Sequence, residues 1–256
     1  MPCASRRCSR PDGQPGARAP TVSRPVATVS AVLGLPTGAG EWLDRLPHGR
    51  HQLTRDAVLN SQRGRMLEAI ATAVAEKGYA ATTVADIIRV AGVSRRTFYE
   101  HFADKEDCFL AAFDTGIGFL LSEIARATRG VADWTDRLRA GVRTMLAVLA
   151  RDPAFTRIGT VEVMAAGPQA VERRAQMMRV FAGQYRRLHA DARAADPDVP
   201  ALDRRVFAAL AGGVIEVVVV EVTAGRTAKL ASLEPVLLQF LVSELGGPRA
   251  AAAFAA

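Results

Sequence analysis

TTVADIIRVAGVSRRTFYEHF, residues Thr82–Phe102, is the stretch that decides the fold. Val84, Ile87, Ile88 and Ala91 recur at helical spacing and make one apolar stripe. Gly92 follows, at the place after a helix where a left-handed backbone is cheap only without a Cβ. Val93 can plug the corner beyond it, and Ser94 can cap a second helix by accepting an amide hydrogen bond. Phe98 and Phe102 share one side of that second helix and give it an inward face. A helix, a tight glycine turn and a second helix form the signature of a DNA-binding helix-turn-helix.

The charges of the second helix add to this. Arg95 and Arg96 fall in its first turn, where the helix dipole is positive and each cation is disfavoured by roughly 0.3–1 kcal/mol. Ser94 alone does not offset two of them, so an anionic partner outside the chain is the economical explanation. Recognition helices meet base edges with their N-terminal residues, and an arginine fork matches guanine O6 and N7. Thr97, Tyr99 and His101 can add phosphate or base contacts from the same surface. The competing reading is a surface helix with a solvated polar face.

The longer run TTVADIIRVAGVSRRTFYEHFADKEDCF resembles the DNA-binding domain of TetR-type (tetracycline-repressor-like) transcriptional regulators. Thr83, Ile87, Ala91 to Ser94, Phe98, Tyr99, His101, Phe102 and Lys105 match that family's pattern. The likeness covers residues Gln62 to Phe113, and the remainder is similar only in length and helical character. It implies an all-α protein, with an N-terminal three-helix DNA-binding domain holding the helix-turn-helix and a C-terminal helical ligand-binding and dimerisation domain. It further implies an effector-responsive repressor, acting as a homodimer on a palindromic, inverted-repeat operator in double-stranded DNA. DNA contacts are then expected from Thr83, Ser94, Arg95, Arg96, Thr97, Tyr99, His101, Lys105 and Arg55. Lys105 resembles the family's phosphate-contacting lysine, a free surface lysine being the plainer alternative.

Charge is distributed in keeping with this division. Of the formal net charge of +7, residues 1–49 hold six basic and three acidic side chains, and residues 50–105 nine and six. The remaining residues hold eighteen and seventeen, so the long C-terminal part is nearly neutral. A basic module joined to a neutral domain fits nucleic-acid binding coupled to another task. Arginine outnumbers lysine thirty to three, which discounts arginine counts taken alone. Cys3, Cys8 and Cys108 have neither zinc nor redox spacing and make no disulfide framework, so a reducing cytoplasm is the simplest compartment. No apolar run is expected to span a membrane, because Val206 to Val222 is interrupted by Glu216 and Glu221.

Four parts are expected along the chain. Residues 1–47 are rich in proline, glycine and arginine and read as a disordered basic tail, or as the product of a start codon set upstream of a true start nearer Leu46. Residues 48–105 form the DNA-binding domain. Arg50, Arg55, Arg63 and Arg65 lie just before and within its first helix, near where related regulators place a groove-contacting extension. Gly78 ends that helix, and Asp104 caps the fourth with Asp107 as partner. Residues 106–247 form the helical effector and dimerisation domain, and residues 248–256 a disordered alanine-rich end.

Within the second domain, helices are expected at 134–151, 154–164, 169–194, from Leu202 through GGVIEVVVVEV, and at 233–245. The valine run suits a strand, but its surroundings favour one long helix. The last two helices are apolar over more than one face, so a symmetric dimer is expected to pair them as a four-helix bundle. Glu216 and Glu221 are then rim or functional residues, or simply solvated. The resemblance implies an unknown small, apolar effector bound among these helices, for which Met145, Met164, Phe181 and Tyr185 are the candidate lining. No cofactor or metal is expected, because His48, His51, His101 and His189 show no ligand spacing. Nor does a nucleophile motif, P-loop or dinucleotide fingerprint appear that would support an enzyme. The remaining alternative is an architectural DNA-binding protein without effector control.

Overall fold

The computed structural model describes the backbone of residues 55–255 and the side chains of residues 60–254. The expected tail, Arg50 and the Arg55 side chain lie outside the described residues. Among those described, nine α-helices and two short 3-10 turns follow one another without a strand. They are α1 (Arg55–Ala81), α2 (Val84–Ala91), α3 (Arg95–His101), α4 (Lys105–Thr128), α5 (Trp134–Arg151) and α6 (Pro153–Thr160). After the 3-10 turn Glu162–Ala165 come α7 (Pro168–Ala195), α8 (Arg204–Thr223), the 3-10 turn Thr227–Leu233 and α9 (Glu234–Ala255).

The caps explain the boundaries. Gly78 breaks α1 with φ 80° and ψ 161°, as the sequence predicts. Thr83 caps α2 in a reciprocal box with Asp86, and Gly92 ends α2 in the left-handed conformation at φ 63°. The Ser94 hydroxyl accepts from the Thr97 amide, and the Asp104 carboxylate accepts from that of Asp107. Asp107 answers by accepting from the Ala103 amide at 2.9 Å.

Two apolar cores result. The first gathers Ile70 and Val74 of α1, Ile87 of α2, Phe98 of α3, and Phe109 and Phe113 of α4. It also takes Ile158 of α6, Val163 of the 3-10 turn and Ala170 of α7, so the N-terminal helices share a core with the second domain. Each buried aromatic or aliphatic side chain contributes roughly 1.5–3 kcal/mol on leaving water. The second core lies among α5, α7, α8 and α9, around Leu138, Leu146, Tyr185, Leu210, Val218 and Leu241. At Gly116 of α4, a Cβ would stand 1.7 Å from the ring of Phe155 of α6, and only glycine lets these helices approach so closely.

Three expectations need correction. The helix expected over 154–164 stops at Thr160, and Glu162–Ala165 winds as a 3-10 turn instead. Residues 248–255, read as disordered, continue α9 as helix beyond a break at Gly247. Arg249 pairs there with Asp196 and Asp198, and the Arg139 guanidinium stacks 5.4 Å over the Phe254 ring. Finally, α4 and α8 are both long and apolar enough to cross a membrane by length and composition. Two glutamates do not offset the valines of α8. In the fold, α4 buries Phe109, Phe113 and Leu120, and α8 buries Phe207, Leu210, Val214 and Val218.

Candidate nucleic-acid interface and effector cavity

The turn between α2 and α3 is held from both sides. Phe98 is fully buried beneath α3 and meets Tyr99 edge-on at 5.3 Å, so the outer surface of this short helix is fixed by its inner one. Arg95 and Arg96 both point outward from its first turn, which contains no acidic residue. The Arg96 side chain is 90% exposed and, among the described residues, pairs only with Glu100, one turn on, at 3.0 Å. An exposed pair of that kind is worth a few tenths of a kcal/mol, about 0.3–0.5, and yields readily to a phosphate or a guanine edge. Tyr99 is half exposed on the same helix. The Thr97 hydroxyl stands 2.9 Å from that of Ser94, and Thr83 is exposed while its hydroxyl donates to Asp86 at 2.6 Å. Hydrogen bonds to Lys77 and Thr83 hold the Asp86 carboxyl well below the usual carboxylate range.

Other candidates are less free than their sequence positions suggest. His101 is half-buried against Phe102, and its Nε2 is shielded without a partner among the described residues. Lys105 does not project into solvent. Its ammonium donates to the Tyr79 carbonyl at 2.9 Å and lies 4.1 Å over the Tyr79 ring, where burial lowers its pKa. Arg63 stacks on Phe102 at 5.5 Å. Arg65 is half-buried, with Nη1 3.8 Å from the point a Cβ on Gly92 would occupy. These two arginines of α1 thus brace the helix-turn-helix.

Sequence reasoning missed the other side of Tyr79. Its amide donates to Glu162 Oε2 at 2.9 Å, while Glu162 Oε1 accepts from Arg157 of α6 at 3.1 Å. Glu162 is buried, and the residue that follows the α1 break is gripped from the second domain. Pairs so distant in sequence leave no periodic signal.

Between α4, α5 and α7 lies a cavity of about 650 Å³, within the range of small-molecule sites. Met145, Phe181 and Tyr185 line it. Met164 does not; it stands on the 3-10 turn, 55% exposed and away from the cavity. The same three lining residues also border a small, almost wholly apolar chamber that runs on toward Phe155 and Met177.

With this geometry in place, comparison with known proteins is informative. The family model "Bacterial regulatory proteins, tetR family" matches residues 66–112, from α1 through the first third of α4. The chain carries a TetR-family DNA-binding domain. FasR of Mycolicibacterium smegmatis, named as an HTH-type transcriptional activator, is 28% identical over 109 residues, 43% of this chain and 50% of that one. KstR2 of Mycobacterium tuberculosis, named as a repressor, is 49% identical over 49 residues, 19% of this chain and 24% of its own length. The chain therefore spans half or less of these relatives. Beyond the DNA-binding domain the fold is shared as well. FadR from Bacillus subtilis, solved in complex with stearoyl-CoA, superposes over 70% of this chain and 97% of its own with a TM-score of 0.63 at 21% identity.

Proposed function

We propose that the protein is a transcriptional regulator that binds an inverted-repeat operator as a homodimer and responds to a small effector. The observation that carries this reading is the pair of exposed arginines in the first turn of α3, on a helix whose inner face is locked by Phe98. Arg95 and Arg96 read bases, while Thr83, Ser94, Thr97 and Tyr99 supply phosphate contacts from the surrounding surface. His101 and Lys105 act chiefly from behind this face, with the remaining N–H groups of Lys105 available to a phosphate.

The exposed apolar surface of the last two long helices supports the homodimer. Val217 and Val220 of α8 and Val236 and Phe240 of α9 are all left in contact with water. The Phe240 ring lies 3.4 Å from the Cβ position of Gly213, so α9 touches α8 at that point. A twofold copy buries that face as a four-helix bundle. Glu216 is exposed and falls at its rim. Glu221 is instead taken up by a forked pair with Arg226, both contacts at 2.7 Å, which closes the turn after α8.

Effector control is supported by the cavity among α4, α5 and α7 and by the Glu162 grip on Tyr79. An occupant that displaces α6 moves the end of α1, and with it the spacing of the two recognition helices. Mobility-shift titrations across the protein's own upstream DNA test the reading. Sequence-selective binding is expected, whereas equal affinity for random duplex favours the architectural alternative.

A further inference from the structure

The cavity among α4, α5 and α7 is graded in polarity. Its polar side chains collect toward one end, where Arg137 at the start of α5 faces Arg187 and Asp191 near the end of α7. Arg137 pairs with Asp191 at 2.6 Å. Arg187 makes only a 3.3 Å contact to the neutral Gln184. Two guanidinium groups and one carboxylate leave a net positive mouth.

From there the cavity turns apolar. Eight residues of α5 separate Arg137 from Met145, a rise of about 12 Å. Ten residues of α7 separate Asp191 from Phe181, a rise of about 15 Å. Met145, Phe181 and Tyr185 also border the inner chamber, a space of about 30 Å³. Its only hydroxyl-bearing threonines, Thr156 and Thr160, already donate to the carbonyls of Leu149 and Thr156 at 2.7 and 2.6 Å. Burial pushes the Tyr185 phenol pKa up, which keeps it neutral. Nothing in this inner end can hold a charge.

Building on the effector-responsive reading above, we infer that the ligand is an amphipathic anion. Its carboxylate or phosphate is held by Arg137 and Arg187 at the mouth, and its apolar chain lies along Met145, Phe181 and Tyr185 within the cavity. The guanidinium fork matches either anion through charge-assisted hydrogen bonds. A cationic head must instead displace Arg137 from Asp191 while facing two like charges, and an uncharged head forfeits the charge assistance.

Thermal-shift titrations of the full chain with dodecanoate, dodecyl phosphate, dodecanol and dodecyltrimethylammonium, all below their micellar ranges, test this. The two anions are expected to raise the melting temperature and to bind roughly tenfold or more tightly than the alcohol, with the ammonium weakest. The R137A/R187A double variant, its fold checked by its own melting curve, is expected to lose the preference for anions over alcohol and to keep alcohol binding. A preference for carboxylate over phosphate, or the reverse, identifies the source of the anion. Equal binding of anion and alcohol, or an anion preference that survives in the double variant, overturns the head-group assignment. Operator release measured in parallel separates the two readings. Anion binding without release leaves the site standing and removes effector control, whereas release by all amphiphiles alike keeps effector control and removes the anion site. Binding by none of them removes the amphipathic-anion site.

Discussion

Arg95 and Arg96 stand exposed in the first turn of α3, against the helix dipole, on a helix anchored by a fully buried Phe98. Arg96→Ala is expected to weaken binding to the preferred operator by about 1–3 kcal/mol while leaving random duplex nearly unaffected. Fluorescence anisotropy on both duplexes measures the difference. Lys105→Ala behaves differently, because the ammonium holds the Tyr79 carbonyl. It is expected to cost about 1 kcal/mol of stability, the low end for a half-buried bond to a charged group, and to reduce affinity for all sequences alike. Asp152 gives a pH signature. Its Oδ1 caps α6 by accepting from the Phe155 amide at 2.8 Å, but Oδ2 is buried with no partner among the described residues, and burial raises its pKa. A carboxyl whose folded pKa is raised stabilises the fold below its unfolded value, near 3.9, and that contribution is lost as pH rises through the folded value. Asp152→Asn keeps the cap and removes the charge. The variant's melting temperature relative to wild type is therefore expected to rise between pH 4 and pH 7.

The helices around the turn were legible because their signals are local. The stripe of Val84, Ile87 and Ala91, the glycine at 92 and the caps Ser94 and Asp104 all act within one or two turns. What the sequence hid depends on distance or on small residues. Met164 looked like cavity lining because helical spacing was carried through a segment that winds as a 3-10 turn. The alanine-rich end looked disordered, yet Arg249, Phe254 and their remote partners hold it as helix. Gly116 gives no local signal in the sequence, and its role comes from the Phe155 ring packed against it. Gly116→Ala is expected to destabilise by roughly 1–3 kcal/mol through overpacking, with part of the loss recovered by adding Phe155→Leu. Chemical denaturation of both variants tests this. Glu162→Ala leaves the Tyr79 amide and Arg157 without their shared partner, a cost of about 2 kcal/mol once the partial exposure of Arg157 is allowed for. Glu162→Gln, which still accepts from Tyr79, is expected to recover the stability in part. Neither variant touches the outer face of α3, so a change in operator affinity at full folding reports the coupling between the domains.

At the scale of the whole molecule, the charge imbalance between the two parts of the chain and the apolar surface left on α8 and α9 point to one arrangement. In the proposed reading, a basic head is carried twice by a nearly neutral, self-associating body. Phe240→Asp places a charge at the centre of the exposed face and is expected to yield monomers by sedimentation velocity, with the loss of operator binding that follows from halving the contacts. The most direct measurement is competitive binding of the dimer to duplexes from its own upstream region, scored against shuffled duplexes of the same composition. A preference of about 10³-fold or more for an inverted repeat, abolished in the R95A/R96A variant, is the predicted result. Equal binding to shuffled DNA, or a preference that persists without those two arginines, contradicts it.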